Sequence, residues 1–127
     1  MAVELNHTIV AARDAERSAR WFADVFGLPA PTRLWHFWQV ETANGVGLDF
    51  STASGAIAGQ HYAFLVSEEE WDAIFGRIVE QGVDHWADPG HTRPDEINRA
   101  DGGRGVYFSS PEGHNLEIIT RPYGSGS

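Results

Sequence analysis

Cysteine is absent from this chain of 127 residues. That excludes disulfides, thiolate metal sites and cysteine nucleophiles, and any metal must take nitrogen and oxygen ligands. Basic residues are scarce: nine Lys plus Arg stand against eighteen Asp plus Glu, for a formal net charge of -9. They form no run or stripe, so nucleic acid is not an expected partner. No apolar run approaches the ~20 residues that span a bilayer, and Ala2-Val3-Glu4 lacks the basic region and apolar core of a signal peptide. The expectation is a soluble, cytoplasmic protein with no membrane partner. Its length suits one domain over residues 1–127, with a core large enough to be shared by two halves.

What the chain does contain is a repeat. Gly47-Leu48-Asp49-Phe50 and Asn115-Leu116-Glu117-Ile118 close two halves, each of which opens with a histidine in an apolar strand, His7 and His61. His7 to His61 is a step of 54 residues, Gly27 to Gly82 one of 55, and Asp49 to Glu117 one of 68. The second half therefore carries an insertion of about 13 residues, and the polar stretch from Pro89 to Gly103 is where it falls. A loop that long inside a compact domain is a lid, a binding loop or a disordered stretch. It is expected to border the mouth of the site.

Module one, about residues 3–54, reads as a strand from Leu5 to Ala11, then a helix capped by Asp14 and closed by Gly27. An aromatic strand from Trp35 to Thr42 follows, and an Asn44-Gly45 hairpin leads into Val46 to Ser51. Module two, about 59–122, repeats the order. His61 to Val66 is a strand, Ser67-Glu68-Glu69-Glu70 is a capping box, and Gly82 ends the helix. Short strands are predicted at His85 to Ala87, Gly105 to Ser109 and Asn115 to Thr120.

Side-chain alternation assigns the chemistry to one face. A carboxylate between buried apolar neighbours points away from the face they bury, and desolvating it is costly unless something pairs it. His7, His61 and Glu117 form a two-histidine, one-carboxylate set that leaves coordination positions open. Asp49 is either a fourth ligand or, being shorter, a group that hydrogen-bonds a ligating histidine or a metal-bound water. Tyr107, alternating with Val106 and Phe108, is the candidate cavity tyrosine. His114 lies on a turn at the wrong parity for Glu117's face and is expected to stabilise that turn; polar help to catalysis is its other candidate role. In the strand reading, Trp35 and Phe37 share one face and can line a cavity. Arg121 shares Glu117's parity and can orient an anionic group.

These residues carry a family resemblance. His7 in Leu-Asn-His-Thr-Ile-Val, His61 in Gln-His-Tyr-Ala-Phe-Leu-Val, and the ending Ser-Pro-Glu-Gly-His-Asn-Leu-Glu-Ile-Ile resemble the vicinal oxygen chelate superfamily of glyoxalases, bleomycin-resistance proteins, fosfomycin-resistance transferases and extradiol dioxygenases. The aromatic strand, His-Tyr-Ala-Phe, Trp-Ala-Asp-Pro and Gly-Gly-Arg-Gly look most like a branch related to the chartreusin-pathway dioxygenase, which rearranges an aromatic polyketide. The resemblance implies an α+β fold: two paired βαβββ modules forming a cupped, mostly antiparallel sheet with helices on the outer face. It also implies a homodimer and a divalent ion on His7, His61 and Glu117. The implied reaction is an Fe(II)- or Mn(II)-dependent oxygenation of an aromatic small molecule chelated through vicinal oxygens. The rivals are a lyase or thiol transferase using Zn(II), Ni(II) or Mn(II), and a non-enzymatic antibiotic-binding protein.

Overall fold

A computed structural model describes residues 2–126. The chain divides between Ile57 and Ala58 into two compact units, module one and module two.

In module one the order is β1 (His7–Ala12), α1 (Ala15–Phe26), β2 (Thr32–Leu34), β3 (Phe37–Glu41) and β4 (Gly47–Thr52). Asp14 caps α1 by accepting the amide of Arg17, and Gly27 ends it in the left-handed region at φ 68°, where a Cβ would be strained. Ala15, Ala19, Phe22, Ala23 and Val25 are the buried face of α1. Full burial of one such large apolar side chain contributes roughly 2 kcal/mol. The sheet order is β1-β4-β3-β2. Direction alternates from β1 through α1, β2 and β3, so β4 returns parallel to β1, while β2–β3 and β3–β4 are antiparallel.

Module two repeats this with β5 (His61–Leu65), α2 (Glu68–Glu80), β6 (His85–Trp86), β7 (Gly105–Ser109) and β8 (Asn115–Ile119), in the order β5-β8-β7-β6. Ser67 and Glu70 form the expected capping box, and Trp71, Ile74 and Ile78 are buried. Arg104, just before β7, pairs with Glu68 at 2.8 Å and Asp72 at 2.7 Å and lies over the Trp71 ring at 4.2 Å, tying α2 to the sheet. Val106, Phe108, Leu116 and Ile118 point to the buried side. The fold is α+β, with two mixed four-stranded sheets in which two of the three pairings are antiparallel.

Two expectations are corrected. Trp35 to Thr42 is not one strand: Leu34 pairs directly with Phe37, so Trp35-His36 is a two-residue hairpin turn. Trp35 adopts φ 60° and is 83% exposed. Alternation therefore begins only at Phe37, and Trp35 shares no strand face with it. The second concerns the insertion: of the lid, binding loop or disordered stretch expected there, the disordered stretch is ruled out. Pro94 bridges to Trp86 and Asn98 to Gly105. Asp88 accepts the amides of Thr92 and Arg93, both at 2.9 Å, and these bonds hold the Asp88 carboxyl down at about 2, the Thr92 hydroxyl being the largest cause.

Candidate functional site

Three of the sequence-predicted residues of module two, His61, Glu117 and Tyr107, converge. In the parallel β5–β8 pair, His61 lies opposite Asn115 and Ala63 opposite Glu117, so the glutamate reaches diagonally along its strand to the histidine. His61 Nε2 and Glu117 Oε1 are 2.9 Å apart. The Glu117 side chain is 11% exposed and that of His61 49%, so the pair has a buried carboxylate and an accessible imidazole. Tyr107 is the β7 partner of Glu117, and its ring centroid lies 5.8 Å from that of His61. Its hydroxyl donates to Glu117. Burial first, and then the charge and hydrogen bond of Glu117, push the Tyr107 pKa up to about 12. The phenol thus stays protonated and available as a donor.

The matching face of module one holds a different set. His7 lies opposite Gly47, and Asp49 lies between Ile9 and Gln39. Asp49 is buried and accepts from Gln39 Nε2 at 2.7 Å. The exposed His7 has its Nδ1 2.7 Å from the Asn6 side-chain oxygen. That oxygen can only accept, so Nδ1 carries the proton and Nε2 keeps its lone pair, the form in which imidazole ligates metal. Phe37 has the same parity as Gln39 and stands on this face, whereas Trp38 is the partner of Phe50 on the α1 side.

His114 is elsewhere. It is buried, its Nδ1 accepts the Gln60 amide at 3.0 Å, and its ring meets Tyr62 edge-on at 5.7 Å. It thus fastens the turn to the residue before His61, on the face away from Glu117. Arg121 is exposed and lies beyond the end of β8, so strand alternation does not extend to it. Its stem passes close to Gly103, where an added Cβ would sit 2.8 Å from Arg121 Cγ.

A divalent ion fits the donors of module two. Two donors at about 2.1 Å from one ion and at right angles are about 3.0 Å apart, close to the observed His61–Glu117 separation of 2.9 Å. Both are nitrogen or oxygen donors on an accessible face. Among the described residues, no three His, Asp or Glu side chains gather into one cluster. Sequence reasoning missed Gln39, whose only signal was its even spacing from Phe37, and it also missed Asn115 and Trp86 beside the pair.

The profile of the glyoxalase/bleomycin resistance protein/dioxygenase superfamily matches residues 4–118. The chain belongs to that superfamily. Among solved structures similar to this superfamily member, one described as oxidase ChaP-H1 is 63% identical, with a TM-score of 0.95, covering 97% of this chain and 99% of its own. A second, oxidase ChaP-H2, is 60% identical, with a TM-score of 0.96 and full coverage of both chains (100%). A more distant relative is the glutathione transferase FosA of Serratia marcescens, 29% identical over 93% of this chain and 81% of that protein.

Proposed function

We propose that this superfamily member is a divalent-metal-dependent oxygenase that uses dioxygen to oxidise an aromatic small molecule. The observation that carries the reading is the His61–Glu117 pair at 2.9 Å with Tyr107 bonded behind it. The 60% and 63% identity to proteins described as oxidases favours oxidation over the thiol transfer named for the 29% identical relative.

His61 and Glu117 would hold the ion, and His7, whose Nε2 keeps its lone pair, would be its third protein ligand. Asp49 is either a further ligand or a partner of the water and histidines around it. Fe(II) or Mn(II) suits this role, and Zn(II) or Ni(II) would suit the transferase alternative. When bound, such an ion supplies a Lewis acid with positions open to vicinal oxygens of the substrate. Tyr107 donates a hydrogen bond to Glu117 and fixes the carboxylate's orientation. Phe37 furnishes apolar contact on the face that also holds Asp49, Arg121 attracts an anionic substituent, and His114 acts by holding the strand that begins at His61. A cytoplasmic homodimer is the working assembly.

Metal analysis of protein purified without chelator, followed by oxygen uptake with catechol-like and polyketide ligands, tests the reading. Metal-dependent oxygen uptake supports it. Glutathione consumption without oxygen uptake would replace it with thiol transfer, and tight aromatic binding indifferent to metal would replace it with sequestration.

A further inference from the structure

The insertion reaches the metal-binding face through His91. Trp86 is the β6 partner of Tyr107, and Tyr107 is the partner of Glu117, so the three side chains stand in a row on one face of the sheet. The His91 ring stacks on Trp86 with centroids 3.7 Å apart and an interplanar angle of 0°. Its Nε2 is 2.9 Å from the side-chain oxygen of Asn115, the residue opposite His61. The other end of that amide, Nδ2, donates to the Pro89 carbonyl at 3.4 Å. Asn115 therefore grips the insertion at two points, from the strand that also carries Glu117.

The amide orientation fixes the imidazole. Because Asn115 Nδ2 faces a carbonyl, its oxygen faces His91, and an oxygen can only accept. Nε2 of His91 must carry the proton, and Nδ1 is left with a lone pair. His91 itself is held at φ 58°, a costly conformation for a non-glycine residue. The strain is tolerated because the stack and the clamp act on the same ring. Module one has neither feature: Gly47 stands where module two has Asn115, and no insertion follows its helix.

We propose that His91 is a specificity-determining residue that walls the metal pair on its β6 side and accepts, through Nδ1, a hydrogen bond from a hydroxyl on a bound planar ligand. The ligand class is a hydroxylated fused-ring chelator, because a group must extend past the ion to meet the ring. The inference rests on the metal-binding reading of His61 and Glu117.

The test uses Mn(II)-loaded full-length protein and two chelators followed by calorimetry: 2,3,6,7-tetrahydroxynaphthalene, whose second pair of hydroxyls extends past the ion, and acetohydroxamate, which does not. His91→Ala should weaken binding of the naphthalene at least about fivefold, the loss expected for one hydrogen bond and its ring contact. Acetohydroxamate and Mn(II) affinities should stay within about twofold. His91→Phe, which keeps a ring on Trp86 but has no nitrogen, guards against simple loss of the loop. It should melt near the parent temperature and still lose the naphthalene preference. Equal naphthalene binding by parent, His91→Ala and His91→Phe would overturn the inference and leave the oxygenase reading intact. A parent protein that holds no Mn(II) would overturn both.

Discussion

Modules one and two pair their strands in the same register and differ in what the shared positions carry. His7 faces Gly47 as His61 faces Asn115, and Asp49 faces Gln39 as Glu117 faces Tyr107. In module two the carboxylate meets the histidine that opens the module, at 2.9 Å. In module one the shorter carboxylate takes its bond from Gln39 at 2.7 Å, and the histidine bonds to Asn6. The backbone therefore supplies two similar frames. One methylene and one neighbouring side chain decide which frame forms a histidine–carboxylate pair.

The comparison breaks most directly at Glu117. Glu117→Gln keeps the volume and removes the charge that neutralises a cation. It should lower metal affinity on the order of 100-fold or more, beyond the usual cost of losing a supporting group, with the melting temperature little changed. Metal content measured on purified protein decides this, and unchanged content would remove Glu117 from the ligand set.

Asp49→Ala should behave differently. It leaves the half-buried Gln39 amide without its acceptor, the buried Asp49 carboxylate, so the larger effect falls on stability, about 1–3 kcal/mol by denaturant unfolding. The loss of metal affinity should be at least about tenfold smaller than that of Glu117→Gln. Equal losses would make Asp49 a true fourth ligand and the two modules chemically equivalent.

Much of this was legible in the sequence because it depends on local rules. The caps at Asp14 and Ser67, the glycines at 27 and 82, and the alternation that placed Tyr107 opposite Val106 and Phe108 all follow from spacing, and the structure has each in place. What escaped depends on tertiary contacts. Trp35 carries strong strand preference, and neither it nor His36 is a glycine or asparagine turn signal, yet the pairing of Leu34 with Phe37 bends the chain between them. The insertion has no periodicity. It is ordered by Asp88, Asn98 and Asn115, none of which looks like an anchor until its partner is known. Gln39 likewise resembles any polar strand residue until Asp49 is placed beside it.

Tyr107 offers a smaller, spectroscopic test of the same contrast, since Gln39 at the matching position cannot ionise. Its folded pKa of about 12 lies above the ordinary 10. The contribution of the protonated phenol is thus fully present below pH 10 and is lost as pH rises toward 12. In metal-free protein, tyrosinate absorbance should show a late component near pH 12 that Tyr107→Phe removes. A titration complete by pH 10.5 would mean the phenol does not face Glu117.

The smallest effect is expected at Asp88, at the entrance to the insertion that module one lacks. Its carboxylate accepts from the Thr92 hydroxyl at 2.6 Å and from the amides of Thr92 and Arg93, and only the ionised form accepts all three well. With the folded pKa held at about 2, below the ordinary 3.8, the clamp is complete above pH 4 and is lost as pH falls through about 2. The carboxylate is only half-buried and its bonds are local to the insertion, so global stability should barely change. Hydrogen exchange resolves it: the Thr92 and Arg93 amides should remain protected at pH 3, and Asp88→Asn should leave them exchanging several-fold faster while the amides of β7 and β8 are unaffected. Equal exchange in the two proteins would show that the insertion is held without the Asp88 clamp, by Asn98, Asn115 and Trp86.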